Sequence, residues 1–130
     1  MKRYIQCTGD VVAGDYIKFT EAVFGGSHRR PQYLGDRTIY AEVKADSYGA
    51  DKQQHTFTLR VSRAYGLDAA SVRQKVIKRK GRNIYRHGTK RLVWSDEAAR
   101  KVALVEKHAR GDAARQAALE RRANAWRREP

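Results

Sequence analysis

Most of the residues that announce a specialised chemistry are scarce in this sequence. There is one cysteine, Cys7, which excludes an internal disulfide framework and any cysteine-rich zinc module. No stretch approaches the ~18 uninterrupted apolar residues of a transmembrane helix. The opening MKRYIQCTGD turns polar too soon for the apolar core of a signal peptide. Glycines never fall as G-x-G-x-x-G or G-x4-G-K-[ST], so no nucleotide-cofactor motif is present. The four histidines, His28, His55, His87 and His108, are scattered, with no His or Cys at ligand spacing. Neither a metal nor any other cofactor is expected, and the case for an enzyme is thin. The expectation is a soluble protein of a reducing compartment: cytoplasmic, nucleoid-associated, or in the host cytoplasm if viral.

Acidic residues are the other shortage. Against 28 Lys and Arg stand only 14 Asp and Glu, a formal net charge of 28 − 14 = +14. The hydrophobic fraction is 41% and the mean hydropathy −0.80, enough for one modest core in 130 residues. The excess is uneven. Residues 78–94 (KRKGRNIYRHGTKRLVW) hold seven basic residues and no acidic one, half of the +14 in 17 positions. Tyr85, Trp94 and Asn83 lie within this segment and suit stacking or hydrogen bonding beside phosphate-holding cations. A polyanion, DNA or RNA, is therefore the first partner to consider, and no membrane is expected.

Strand periodicity dominates the first half. In QHTFTLRVS (54–62) His55, Phe57, Leu59 and Val61 alternate with polar residues. In TIYAEVKA (38–45) Ile39, Ala41, Val43 and Ala45 face one way and Thr38, Tyr40, Glu42 and Lys44 the other. The DSYGADKQ between them reads as a hairpin loop. Upstream, a Gly14-Asp15 turn leads into a strand with Ile17 and Phe19 on one face, and GGSHRRPQYLGD (25–36) reads as a long exposed loop with a small basic cluster at His28, Arg29 and Arg30. LDAASVRQKVI predicts a helix opened by Asp68, with Val72 and Val76 four residues apart; NIYR and RLVW predict short strands around a His87-Gly88 turn.

From residue 95 the pattern is helical, with Ser95 as N-cap and an apolar stripe of Ala98, Val102, Val105 and Ala109. Gly111-Asp112 is expected to interrupt or restart the helix. The fold class is thus α+β: a small, mainly antiparallel β-barrel or rolled sheet over 1–94, then a C-terminal helix or helix pair over 95–130.

Catalytic candidates are weak. Lys52 and His55 could serve phosphodiester chemistry as charge stabiliser and acid/base, the nuclease alternative, but the alternation places His55 on an apolar face, where a hydrogen-bonded core role is the plainer one. His87-Gly88-Thr89 matches half of a two-histidine phosphoesterase site and lacks its second half.

Several segments occur together in a telling order: GDYIKF (14–19), SYGADKQQHTFT (47–58), KGRNIYR (80–86), T-K-R-x-x-W (89–94) and EKHARGDAAR (106–115). Over about residues 9–115 the chain resembles an uncharacterised domain of plant nuclear proteins, where it accompanies a SAP domain or CCCH-type zinc fingers. The resemblance implies work on nucleic acid by association, here expected as a free-standing bacterial or phage version. Its motifs cover Tyr48, Gly49, Lys52, Gln53, Gln54, His55, Lys80, Arg82, Asn83 and Arg86. The expected nucleic-acid contacts are Lys52, Gln53, Lys78, Arg79, Lys80, Arg82, Asn83, Tyr85, Arg86, Lys90 and Arg91. The alternative is a microbial or viral protein-interaction module, an inhibitor whose partner would sit on the Ala-rich C-terminal helix near Trp126.

Overall fold

A computed structural model describes residues 3–48 and 55–128. The elements are β1 (Tyr4–Gln6), β2 (Tyr16–Gly26), β3 (Pro31–Tyr48), β4 (His55–Gly66), β5 (Val76–Lys80), a five-residue helix α1 (Gly81–Tyr85), β6 (Thr89–Leu92) and a long helix α2 (Glu97–Arg128). The strands form one antiparallel sheet in the order β1-β6-β2-β3-β4-β5. It stays open, with β1 and β5 as its edges, so the fold is α+β with a rolled sheet and not a barrel.

The alternation explains which face is covered. Ile17 and Phe19 of β2, Ile39, Ala41 and Val43 of β3, and Phe57, Leu59 and Val61 of β4 are all buried on one side. Cys7 and Val11 from the segment after β1, Ala69 and Val72 after β4, and Ile84 of α1 close over them. Each large apolar side chain buried this way contributes roughly 1.5–3 kcal/mol. Burial also pushes the Cys7 thiol up to about 11. The opposite face of the sheet is left to solvent.

Two bulges break the alternation. On β3 the register slips between Val43 and Ala45, so Ala45 is exposed instead of joining Ile39, Ala41 and Val43, and Asp46 opposite Phe57 turns to the covered side. On β4, Val61 pairs Ala41 but Arg63 pairs Tyr40. Ser62 and Arg63 are therefore both exposed, and Ala64 is the next buried residue.

Four local expectations are corrected. Residues 25–36 are not a long loop: β2 and β3 stay paired out to Gly26 and Pro31. Phe24 meets Tyr33 edge-on at 6.0 Å across this arm, and Ser27 Oγ accepts the Arg30 N–H at the turn. Pro31 begins its strand, where the missing N–H costs nothing. After Asp68, which adopts a left-handed conformation (φ 53°) without capping, only a 3-10 turn, Ala69–Ser71, forms. The chain then joins the edge of β4 as β5, because unpaired backbone groups there outweigh a marginal helix. Of NIYR, residues 83–85 lie in α1 instead of a strand, and Arg86 is the C-cap.

The C-terminal helix departs furthest. Its N-cap bond comes from Asp96, whose Oδ1 accepts the Ala99 N–H at 3.1 Å, and not from Ser95. It runs unbroken through Gly111. Val102 and Val105 are 60% and 62% exposed, while Arg100, Lys107, Gly111 and Ala118 are buried. The face turned to the sheet domain is set by polar ties. Arg100 Nε and Nη2 each lie 2.9 Å from the Asp15 carboxylate, and Nη2 donates to the Asp10 carbonyl at 2.6 Å. Lys107 Nζ donates to the Val11 carbonyl at 2.7 Å. Trp94 Nε1 and the Val12 N–H complete the shell of Asp15 at 2.7 and 3.0 Å. Gly14 precedes it with φ 97°, and a Cβ there would meet the Trp94 ring at 3.0 Å, so both conformation and space require glycine. Among the described residues no helix is long and apolar enough to cross a membrane.

Removing one partner strands a fully buried charge. Arg100→Ala is expected to cost about 3–5 kcal/mol in urea denaturation. A loss below about 1 kcal/mol would show that this pair does not hold the helix.

Candidate nucleic-acid interface

The short helix α1 gathers much of the basic segment at one end of the sheet. Ile84 is its apolar anchor, fully buried, and Lys80 enters it in extended conformation. Arg82, Asn83 and Arg86 are left exposed, beside exposed Lys78 and half-buried Lys80 on β5. Beside this helix is a cavity of about 250 Å³ between Phe24 of β2 and Asn83, Arg86 and His87.

A second cavity, of about 230 Å³, is lined by His55, Lys80, Gly81, Arg82 and Tyr85. Here His55 meets the segment 80–86, and Lys107 and Arg110 reach them from behind. Arg110 Nη2 bonds both oxygens of Asp46 at 3.0 and 3.1 Å, and His55 Nε2 lies 3.7 Å from the same carboxylate. Lys107 Nζ sits 5.3 Å from the centre of the Phe57 ring, on which His55 stacks. Burial, then the Lys107 charge, hold the His55 pKa below its ordinary value, against the pull of Asp46. That shift favours the neutral imidazole, beside Lys80 and Arg82 at the cavity wall. The described lining complements a phosphate group.

Several expected contacts serve the fold instead. Arg91 is 6% exposed, and its two terminal nitrogens bond Glu97 at 2.9 and 2.6 Å. Arg79 forks onto Glu21 at 2.8 and 3.1 Å, with Arg37 on the same carboxylate at 2.9 Å. Burial raises the Glu21 pKa, but Arg79 and Arg37 outweigh it and the net shift is downward. The Tyr85 hydroxyl accepts the Val11 N–H at 3.1 Å, and its ring meets Phe57 edge-on. Thr89, of the His87-Gly88-Thr89 half-motif, is buried and donates to the Ile84 carbonyl. Lys52 and Gln53 lie outside the described residues, as does the rest of 49–54. Among the described residues no group of three or more His, Cys, Asp or Glu stands where it could hold a metal ion.

Most described carboxylates of the sheet domain are engaged in ion pairs: Asp15, Glu21, Glu42, Asp46 and Asp68 each meet a cation, while Asp10 and exposed Asp36 form none. Lys78, Lys80, Arg82 and Arg86 meet no carboxylate among the described residues. Lys90 is also exposed, but on the open face of the sheet, beside Lys18 of β2. That face was missed by sequence reasoning. It carries Tyr4, Tyr40, Tyr65, Lys18 and Arg63, and the one available signal was the outward place of Tyr40 in the alternation of 38–45.

The profile of a domain of unknown function (DUF7699) matches residues 7–94. A rice protein, zinc finger CCCH domain-containing protein 62 of Oryza sativa subsp. japonica, is 36% identical over 116 residues, 85% of this chain and 16% of the rice protein. The chain therefore spans less than a fifth of that relative's length. No solved structure matches.

The Arg91 pair has a measurable acid limb. Arg91 and the Trp94 N–H draw the Glu97 pKa from 4.5 to about 2. Because the folded value is the lower one, the stabilisation is complete above 4.5 and is lost as pH falls toward 2. In urea titrations over that range, Glu97→Gln should flatten the fall in stability; an unchanged slope would remove Glu97 from the acid response.

Proposed function

The chain belongs to the DUF7699 family, and from that footing we propose that it binds nucleic acid through the cations of β5 and α1. Lys78, Lys80, Arg82 and Arg86 contact phosphates, and Asn83 contacts a base edge or sugar beside them. Arg79, Arg91 and Tyr85 are left to the fold. One observation carries this reading: these four cations share one end of the sheet with no carboxylate partner among the described residues, while nearby acids are occupied elsewhere. A charge cluster without internal compensation costs self-repulsion that a polyanion relieves. The cavity between His55, Lys80 and Arg82 offers one phosphate a partly enclosed seat. The CCCH finger named in the rice relative points the same way by association.

Four phosphate contacts give a slope of log K against log salt of about −3.6 on duplex DNA. Replacing Lys78, Arg82 and Arg86 together with alanine should lower the magnitude of that slope by about 2.7. Fluorescence anisotropy with a labelled duplex across a salt series measures both. A slope unchanged by the triple variant would move the interface elsewhere, and no binding at low salt would end the proposal.

A further inference from the structure

The solvent face of the sheet has a chemistry of its own. Strand pairing sets one straight row across it: Gln6 opposite Lys90, Lys90 opposite Lys18, Lys18 opposite Tyr40, and Tyr40 opposite Arg63. Two lysines directly opposite one another repel, and neither meets a carboxylate among the described residues. Tyr40 is ringed by partners, with Lys18 Nζ 5.6 Å from its ring centre. Tyr4 and Tyr65 meet it edge-on at 6.1 and 6.0 Å, and Arg63 lies 4.4 Å from its ring centre. The β4 bulge brings Arg63 to this face, and Ser62 Oγ ties the bulge to the Tyr40 carbonyl and the Tyr16 hydroxyl. Tyr65 is 52% exposed. Beside the row is a depression of about 370 Å³ lined by Tyr4, Tyr16, Ser62, Arg63 and Leu92, roomy enough for a nucleobase. On its other side a smaller one, of about 150 Å³, runs past Lys18 and Lys90 to His87 at the end of α1.

We infer that this open face is a stacking platform for single-stranded nucleic acid, with bases on exposed Tyr65 and on the Arg63 guanidinium that Tyr40 backs, and phosphates on Lys18 and Lys90. The inference rests on the nucleic-acid reading above and names the form of the ligand. An exposed ring and a guanidinium on a sheet offer π-faces to bases, and only unpaired, unstacked bases have faces free to meet them. A duplex hides those faces and presents phosphates and base edges, which the α1 cluster suffices to bind. The charge fits the same ligand: among the described residues Lys18, Lys90, Arg60 and Arg63 share the face with two carboxylates, Glu42, which Lys44 engages at 3.3 Å, and Asp36 toward its far end, which accepts the Tyr33 hydroxyl.

The test uses the full chain with a labelled oligothymidylate and a labelled duplex of equal length. Tyr65→Ala should weaken single-strand binding roughly 5- to 150-fold and leave duplex binding unchanged. Lys18→Ala with Lys90→Ala should weaken single-strand binding and lower its salt slope by about 1.4. The variants alter exposed Tyr65 and Lys90 and half-buried Lys18, and circular dichroism checks that they fold. Single-strand affinity unchanged by Tyr65→Ala, or equal loss on both ligands, overturns the platform while leaving the α1 interface in place. Failure of the unaltered chain to bind either ligand overturns both readings together. Binding of polyglutamate that Tyr65→Ala weakens, with no oligothymidylate bound, assigns the face to an acidic protein and overturns the inference.

Discussion

The structure depends on one buried carboxylate. Asp15 is wholly shielded from solvent, and a lone charge in that position would be prohibitively costly. Arg100, the Trp94 indole and the Val12 amide together satisfy it. Those partners come from the start of the long helix, from the exit of β6 and from the loop that roofs the core. A single charge thus fastens the helix, the last strand and the core cover to one another. Lys107, one face further along the helix, repeats the device on the Val11 carbonyl. The helix is oriented by hydrogen bonds to these polar groups, which is why its most apolar stripe is free to face outward. Buried ion pairs of this kind add little net stability over apolar packing, but they tolerate only one arrangement.

The same logic sorts the positive charge. Arg37, Arg79, Arg91, Arg100 and Arg110 each bind a specific carboxylate and act as structural struts. Once they are set aside, two groups stand out among the described cations that meet no carboxylate. One surrounds α1; the other lies in a row with tyrosines on the open face of the sheet. Charge is therefore only half of the description, since the two groups differ in what stands beside them. Around α1 there is a polar side chain and a cavity lined by Lys80 and Arg82; on the sheet there are aromatic rings. His87, which lines depressions beside both, marks where the two surfaces adjoin.

Much of the sheet was legible from residue order. Ile17 and Phe19, the run from Ile39 to Val43, and Phe57, Leu59 and Val61 follow the two-residue period that a half-covered strand must show. Legibility failed where a pairing partner overrode a local preference. The glycine-rich stretch after Phe24 becomes strand because β3 lies along it, and residues 76–80 become strand because the edge of β4 needs partners. Within the candidate interface, charge density located Lys78, Lys80, Arg82 and Arg86 correctly on the surface. It had no means of telling them from Arg79 and Arg91, whose carboxylates lie far off in sequence or across a turn.

What the sequence by itself determined is the class of fold, the buried face of each central strand, the helical C-terminal third and the concentration of charge in 78–94. Each follows from local periodicity or composition, which need no knowledge of distant partners. The tertiary structure decided which cations are spent and which are free, which face of α2 turns inward, and the row from Gln6 to Arg63. Those depend on register, and register is reset by every bulge. One inserted residue on β4 carries Arg63 from the covered side to the open one, and another on β3 carries Asp46 the opposite way. A two-residue period cannot reveal where it will be broken, because the break is a property of two strands together.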